Sequence, residues 1–339
     1  MIVFFVMAAS PADPLDSVMP KDGMVLGESR VEQEKIARVK YGLDKPAYIR
    51  YLRWLNLISP VGFEANSTSG QFTGSFGFKA PDLGKSLTYK RPVVDVIKEA
   101  LPITVLMNLV TVPFMYIMSI NLGIFSAKRK GQWSDLFIGI GTLALWAIPT
   151  MFVAVVMQNY LSNEDYLQWF PTQGLHDDLA GEMLFLPIWN EQGFQRGYVL
   201  DMLWHVVLPV IGLSYTSLAF LTKLTRSSIL ENLSKDYVRT AKAKGVSSQD
   251  ILYKHVFRNS ILPLITAAAS IIPGLLVGSI IIETIFDIPG MGQLTVRASQ
   301  NNDGPLVLAV TVMSGILGLF SYIIADVCYA IADPRVSYE

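Results

Sequence analysis

The chain has 339 residues, of which 51% are hydrophobic and only 16% charged, against about 25% charged in an average soluble domain. Its 27 Lys+Arg and 28 Asp+Glu nearly cancel, so there is no basic excess of the kind that marks a nucleic-acid partner. The single cysteine, Cys328, excludes a disulfide framework and a cysteine-based metal site.

The first segment, "MIVFFVMAAS", has nine apolar residues before its serine, too few for a bilayer that takes about 20 in a helix. Residues 1–9 are expected to be the outer remnant of a truncated first transmembrane helix; a signal-like segment and an interfacial helix are the alternatives. Residues 10–98 then form an extracytoplasmic segment. Within it, 31–58 has helical apolar spacing. "SPVGFEANSTSGQFTGSFGFKAPDLG" is rich in Gly, Ser and Pro and predicts loops and turns. "LGKSL" looks like the end of a phosphate-binding loop, but Lys79 stands where the motif needs its first glycine.

Next come five stretches of spanning length: 100–127, 136–163, 202–222, 261–282 and 305–325. The first two hold no charged side chain at all. The expected fold is therefore an all-α integral membrane protein, a polytopic transmembrane helix bundle over 99–326. Short loops rich in Lys and Arg face the cytoplasm. Lys128, Arg129 and Lys130 put the loop after the first span inside. The loop at 161–201 has seven acidic residues and one arginine, so it falls outside. The loop at 223–262, with eight basic and three acidic residues, falls inside again, and the tail 327–339 ends in the cytoplasm.

An ionisable side chain at the centre of a span costs about 2.5–3.5 kcal/mol on insertion and so suggests function. These spans offer almost none: Glu283 lies at one edge, Asp326 near the inner end of the last span, and His205 near a helix start. His176, His205 and His255 are expected in different compartments, which argues against one shared metal site. No catalytic constellation is evident. This scarcity, and the lack of an internal repeat, count against an ion-coupled secondary transporter or channel acting without an ATPase, the main alternative.

The most informative stretch is the polar insert "DYVRTAKAKGVSSQDILYKHVFRNSILP" between two apolar spans. Alanines 241 and 243, beside Thr240, give the helix from Tyr237 to Lys244 a small-residue face. Gly245 stands where a helix commonly ends in left-handed geometry. Ser247 and Asp250 have capping-box spacing for a second helix over 248–259. The residues alone are compatible with a coupling hinge or with an ordinary basic loop at the lipid headgroups.

The insert resembles the cytoplasmic "EAA" signature in permease subunits of binding-protein-dependent ABC importers, specifically the dipeptide/oligopeptide/nickel group. "SPADP", "YGLDKPAYIRYLRWL", "DLGKSL", "LWHVVLPVIGL", "FDIPGMGQL" and "ADPRVSYE" fit the same group, in order along the chain. The long outer segment, "LTKLTRSSIL" and "KHVFRNS" lean towards its microcin C-type peptide subgroup. Two features depart from the general pattern: Arg239-Thr240-Ala241 replaces Glu-Ala-Ala, and the distance from Gly245 to Pro263 is longer.

The resemblance implies an inner-membrane permease in bacteria that is not itself an enzyme. A homologous second permease subunit, two ATPase subunits and an extracytoplasmic solute-binding protein are the implied partners, with membrane lipid and a peptide-like substrate. It implies no cofactor on this chain, ATP and Mg belonging to the ATPase. Coupling to the ATPase would involve Tyr237, Arg239, Thr240, Ala241, Lys242, Ala243, Lys244, Gly245, Ser248, Ile251, His255 and Arg258: the stretch 237–245 would dock, Gly245 would permit the turn, and 248–259 would transmit the motion to the next span. Phe286, Pro289, Gly290 and Gly292 would form an outer turn near the binding protein.

Overall fold

The structure is a computed structural model and describes residues 1–9, 45–65, 72–190, 193–276 and 279–332. It divides into two compact units, Met1–Ala100 with Leu294–Met313, and Leu101–Gln293 with Ser314–Glu339.

The first unit holds α1 (Ile2–Ala8), α2 (Ala47–Ile58) and a hairpin of β1 (Val61–Ala65) and β2 (Phe72–Phe78). Phe4 and Phe5 of α1 meet Tyr51 of α2, and Phe4 also meets Trp54, with ring centroids 5.3 to 5.7 Å apart. Of the helical spacing expected over 31–58, residues 31–44 lie outside the described residues. The hairpin corrects the reading of its sequence as loops and turns. Val61 pairs with Phe78 and Phe63 with Phe76, so the apolar residues share one face. The glycines between them mask the alternation.

"DLGKSL" is a turn pinned to Asp303, a buried carboxylate that caps the helix starting at Gly304. Its Oδ2 accepts from the Ser86 hydroxyl and from the Thr88 N–H at 3.0 Å. Its Oδ1 accepts from the Leu306 N–H at 3.3 Å.

The second unit is built from the apolar helices. α3 (Val93–Lys128) runs unbroken through Pro102 and Pro113 for 36 residues, roughly 54 Å. Proline withholds an N–H and crowds the preceding turn. The carbonyls left without a helical donor are those four residues earlier, Lys98 and Leu109.

The stretch 136–163, expected to be one span with at most a kink at Pro149, is α4 (Trp133–Ala147) and α5 (Thr150–Met157) with a π-helical turn (Gln158–Ser162), bent by 95°. Pro149 forces the residue before it out of helical geometry, and Ile148 is extended. Its freed carbonyl accepts from the Tyr215 hydroxyl at 2.6 Å, as a backbone group out of reach of water requires.

Two antiparallel strands, β3 (Ile188–Asn190) and β4 (Gly193–Gln195), precede α6 (Gly197–His205) and α7 (Val207–Leu233). α8 (Asp236–Ala243), α9 (Ser248–Asp250), a π-helical segment (Ile251–Val256) and α10 (Phe257–Ser260) lead to α11 (Leu262–Leu276). Then follow α12 (Ile280–Ile285), α13 (Met291–Gln300) and α14 (Gly304–Ala332). The stretch expected to span at 261–282 is thus a 15-residue helix followed by a separate short one. Among the described residues, three helices are long and apolar enough to cross a membrane, or four counting the bent pair as one span.

Gly123 brings α3 and α7 close together: a Cβ there would lie 2.5 Å from Thr225 Cβ and 3.0 Å from the Thr222 carbonyl oxygen. Gly123→Val should therefore force the helices apart and cost about 1–3 kcal/mol, read as a lower melting temperature of the detergent-solubilised chain.

Candidate functional site

α8 is amphipathic. Val238 is fully buried, whereas Tyr237 and Ala241 are half-buried beside it. Arg239, Thr240, Lys242, Ala243 and Lys244 are exposed. Asp236 in the first turn and Lys242 in the last complement the helix dipole.

The helix ends in a full Schellman motif. The Gly245 N–H donates to the Lys242 carbonyl at 3.0 Å and the Val246 N–H to the Ala241 carbonyl at 3.2 Å. The motif needs a left-handed residue at Gly245, whose φ is +79°. Open space surrounds this glycine, so the backbone conformation, and not crowding, makes glycine favourable there.

Ser247 then caps α9, its hydroxyl oxygen accepting from the Asp250 N–H at 3.1 Å. The return half of the expected capping box differs, because the Asp250 carboxylate accepts from the Ser247 hydroxyl at 2.8 Å. Lys254 pairs with the same carboxylate at 2.6 Å. Lys254 first and Ser247 second hold the Asp250 carboxyl below its ordinary range. A depressed carboxylate contributes its stability above the unfolded-state value near 3.9 and loses it as acid carries pH through the folded-state value.

The helix expected over 248–259 is therefore α9, a π-helical segment and α10 in succession. Ile251, Leu252 and Val256 on the π-helical segment pack with Val238 against Ile124 and Ala127 of α3 and Ile229 of α7. Two serines fasten the far end: the Ser228 hydroxyl donates to the Ser260 carbonyl at 3.0 Å and the Ser260 hydroxyl to the Ser228 carbonyl at 3.2 Å. Lys128 lies over the Tyr253 ring, 4.9 Å from its centroid.

Among the expected coupling residues, Ser248, His255 and Arg258 are exposed together with one side of α8. Ile251 is not. It is 2% exposed and anchors the element internally, so it is no surface residue.

The expected turn lies between α12 and α13, and most of it packs inward. Only Pro289 of its four residues is exposed; Phe286, Gly290 and Gly292 are buried. The turn closes on the buried Glu283, whose Oε2 accepts from the Gln293 N–H at 2.9 Å. Thr104 on α3 accepts from the Met291 N–H at 2.8 Å. A Cβ on Gly290 would fall 2.6 Å from the Glu283 carboxylate and 2.7 Å from the Thr104 hydroxyl. These glycines make room for an internal carboxylate.

The separation expected of the histidines does not hold for two of them. His176 and His205 both face the buried Asp201, with Nδ1 to Oδ2 distances of 4.0 and 3.6 Å. His205 Nδ1 also lies 2.9 Å from the Asp201 carbonyl oxygen. His176 stacks on Tyr198, and burial lowers its pKa. No group of three or more His, Cys, Asp or Glu among the described residues could hold a metal ion.

Sequence reasoning missed Asp135 and Arg226, which form a two-point ion pair between α4 and α7. No local spacing connects residues 91 positions apart.

A polytopic apolar bundle with a helix–glycine–helix element fastened to its helix ends defines the membrane subunit of a transporter. The family model described as "Binding-protein-dependent transport system inner membrane component" matches residues 119–338, and the chain belongs to that family. It is the permease component of a binding-protein-dependent ABC importer and an inner-membrane protein.

The chain is 35% identical to the oligopeptide transport system permease protein AppB of Bacillus subtilis, over 99% of this chain and 93% of that one. It is 32% identical to the inner membrane ABC transporter permease protein YejB of Escherichia coli O157:H7, over 94% and 80%. An inward-facing structure of the methionine ABC transporter MetNI shares the fold, with a TM-score of 0.52 at 15% identity over 71% of this chain and 98% of that one.

Ser247→Ala should cost the α9 start about 1 kcal/mol, seen as roughly fivefold faster amide exchange at Asp250.

Proposed function

We propose that this chain and a homologous second permease form a pathway for peptides. In this reading an extracytoplasmic solute-binding protein delivers the solute, and two cytoplasmic ATPase subunits drive its passage. The names of AppB and of other relatives, among them the di/tripeptide transport system permease protein DppB of Pseudomonas aeruginosa, support peptides as the cargo class. ATP and Mg belong to the ATPase, which hydrolyses the nucleotide; this chain supplies no catalytic group.

The observation that carries the reading is the two-sided character of α8. One side is held by the apolar cluster around Val238, and the other presents Arg239, Thr240, Lys242, Ala243 and Lys244. A groove on the ATPase receives this second side, with Gly245 closing the helix. Ser248, His255 and Arg258 extend the contact surface. Ile251 acts from inside, holding the π-helical segment to α3 and α7. At the opposite face, the exposed Pro289 meets the binding protein, while Phe286, Gly290 and Gly292 keep its turn folded.

Purification of the chain from its native membrane should bring an ATPase with it. Gly245→Val should leave membrane insertion intact and abolish both uptake and solute-stimulated ATP hydrolysis, because a β-branched side chain resists φ near +79°. Normal uptake by that variant would refute the role given to Gly245.

A further inference from the structure

Asp135 lies in the first turn of α4 and is 7% exposed. Arg226 of α7 grips it at two points, Nε to Oδ1 at 2.7 Å and Nη2 to Oδ2 at 2.8 Å. The Ser126 hydroxyl, near the end of α3, donates to Oδ1 at 2.5 Å. The Gly131 N–H, in the turn between α3 and α4, donates to Oδ2 at 2.9 Å. One carboxylate, with four donors on it, thus ties together α3, α4 and α7.

Such a pair is poorly suited to stabilisation alone, since desolvation of the charges offsets most of their attraction. Its distinctive property is geometry. A forked guanidinium on a carboxylate holds one orientation, whereas apolar helix contacts tolerate sliding.

The position of the pair gives that property a use. Beyond Arg226, α7 carries Ile229, Leu230 and Leu233 into the cluster that holds α8 and the π-helical segment. A displacement of α8 therefore moves this end of α7. The next helix in line is α4, which leads through the bend at Pro149 into α5.

We propose that Asp135 and Arg226 are positioning residues for transport: they oblige α4 to follow α7 when the ATPase moves α8. Without the joint, α7 slips past α4, and ATP is consumed with less solute moved. This inference rests on the reading of α8 as the ATPase contact.

The test uses the whole complex in liposomes, with both permeases, the ATPase subunits and the binding protein. Uptake of a mixture of labelled di- to pentapeptides and ATP hydrolysis are measured in the same vesicles. Asp135→Asn and Arg226→Gln should each lower peptide moved per ATP hydrolysed about tenfold. Arg226→Lys, which keeps the charge and loses the fork, should fall between Arg226→Gln and the parent.

A merely static clip would lower uptake and hydrolysis in equal proportion through loss of assembled complex. That result, or an unchanged ratio, would overturn the proposal. If the charge variants do not assemble, Ser126→Ala, which keeps the ion pair and removes one donor, should lower the ratio about twofold; a parental ratio would overturn the proposal. Failure of the parent complex to contain an ATPase would instead refute the docking of α8.

Discussion

A polar element can act on an apolar bundle only if one of its sides is buried in that bundle. Here this constraint is met by Val238, Ile251, Leu252 and Val256, packed on Ile124, Ala127 and Ile229. Each such side chain contributes about 1.5–3 kcal/mol when fully buried. The sum is large compared with what the exposed charges of α8 contribute, because solvated ion pairs are worth about 0–1 kcal/mol. The anchoring side of α8 therefore fixes its position, and the other side is free to meet a partner. The Schellman closure at Gly245 and the cap at Ser247 turn the chain within a few residues, so α8 and the π-helical segment reach the same cluster.

Elsewhere in the second unit, side chains of one helix satisfy backbone carbonyls at the bends and ends of another. The Ile148 carbonyl, released at the bend before Pro149, is bonded by Tyr215. The Leu264 carbonyl near the start of α11 is bonded by Tyr116 at 3.1 Å. The reciprocal Ser228–Ser260 pair treats α10 and α7 alike. Each bond crosses between helices, so satisfying the backbone also sets which helices are neighbours. Glu283 illustrates the same economy, with one carboxylate organising the turn between α12 and α13.

Much of this was legible in the sequence because its signals are local. Charge-free stretches mark apolar helices, Gly245 marks a helix end, and Ser247 with Asp250 marks a cap. Four kinds of feature were not legible. The bend at Pro149 could not be separated from a tolerated kink, since Pro102 and Pro113 lie within a helix that continues. The burial of Ile251, Phe286, Gly290 and Gly292 depends on distant partners, so the sequence placed them in the coupling element and the turn without showing that they pack inward. Asp135–Arg226 and His176–Asp201–His205 join residues whose proximity only the fold creates. The π-helical segment also escaped notice, because its residues have ordinary helical spacing.

The central claim is that α8 moves as one body with the end of α7. It is tested most directly by spin labels at Asp236→Cys and Ser227→Cys, in a Cys328→Ser background, with their separation measured in the assembled complex with and without ATP. The account predicts one unchanged, narrow distance in both states. A distance that broadens or shifts on ATP binding would show that α8 flexes independently of the helix that is meant to carry its motion.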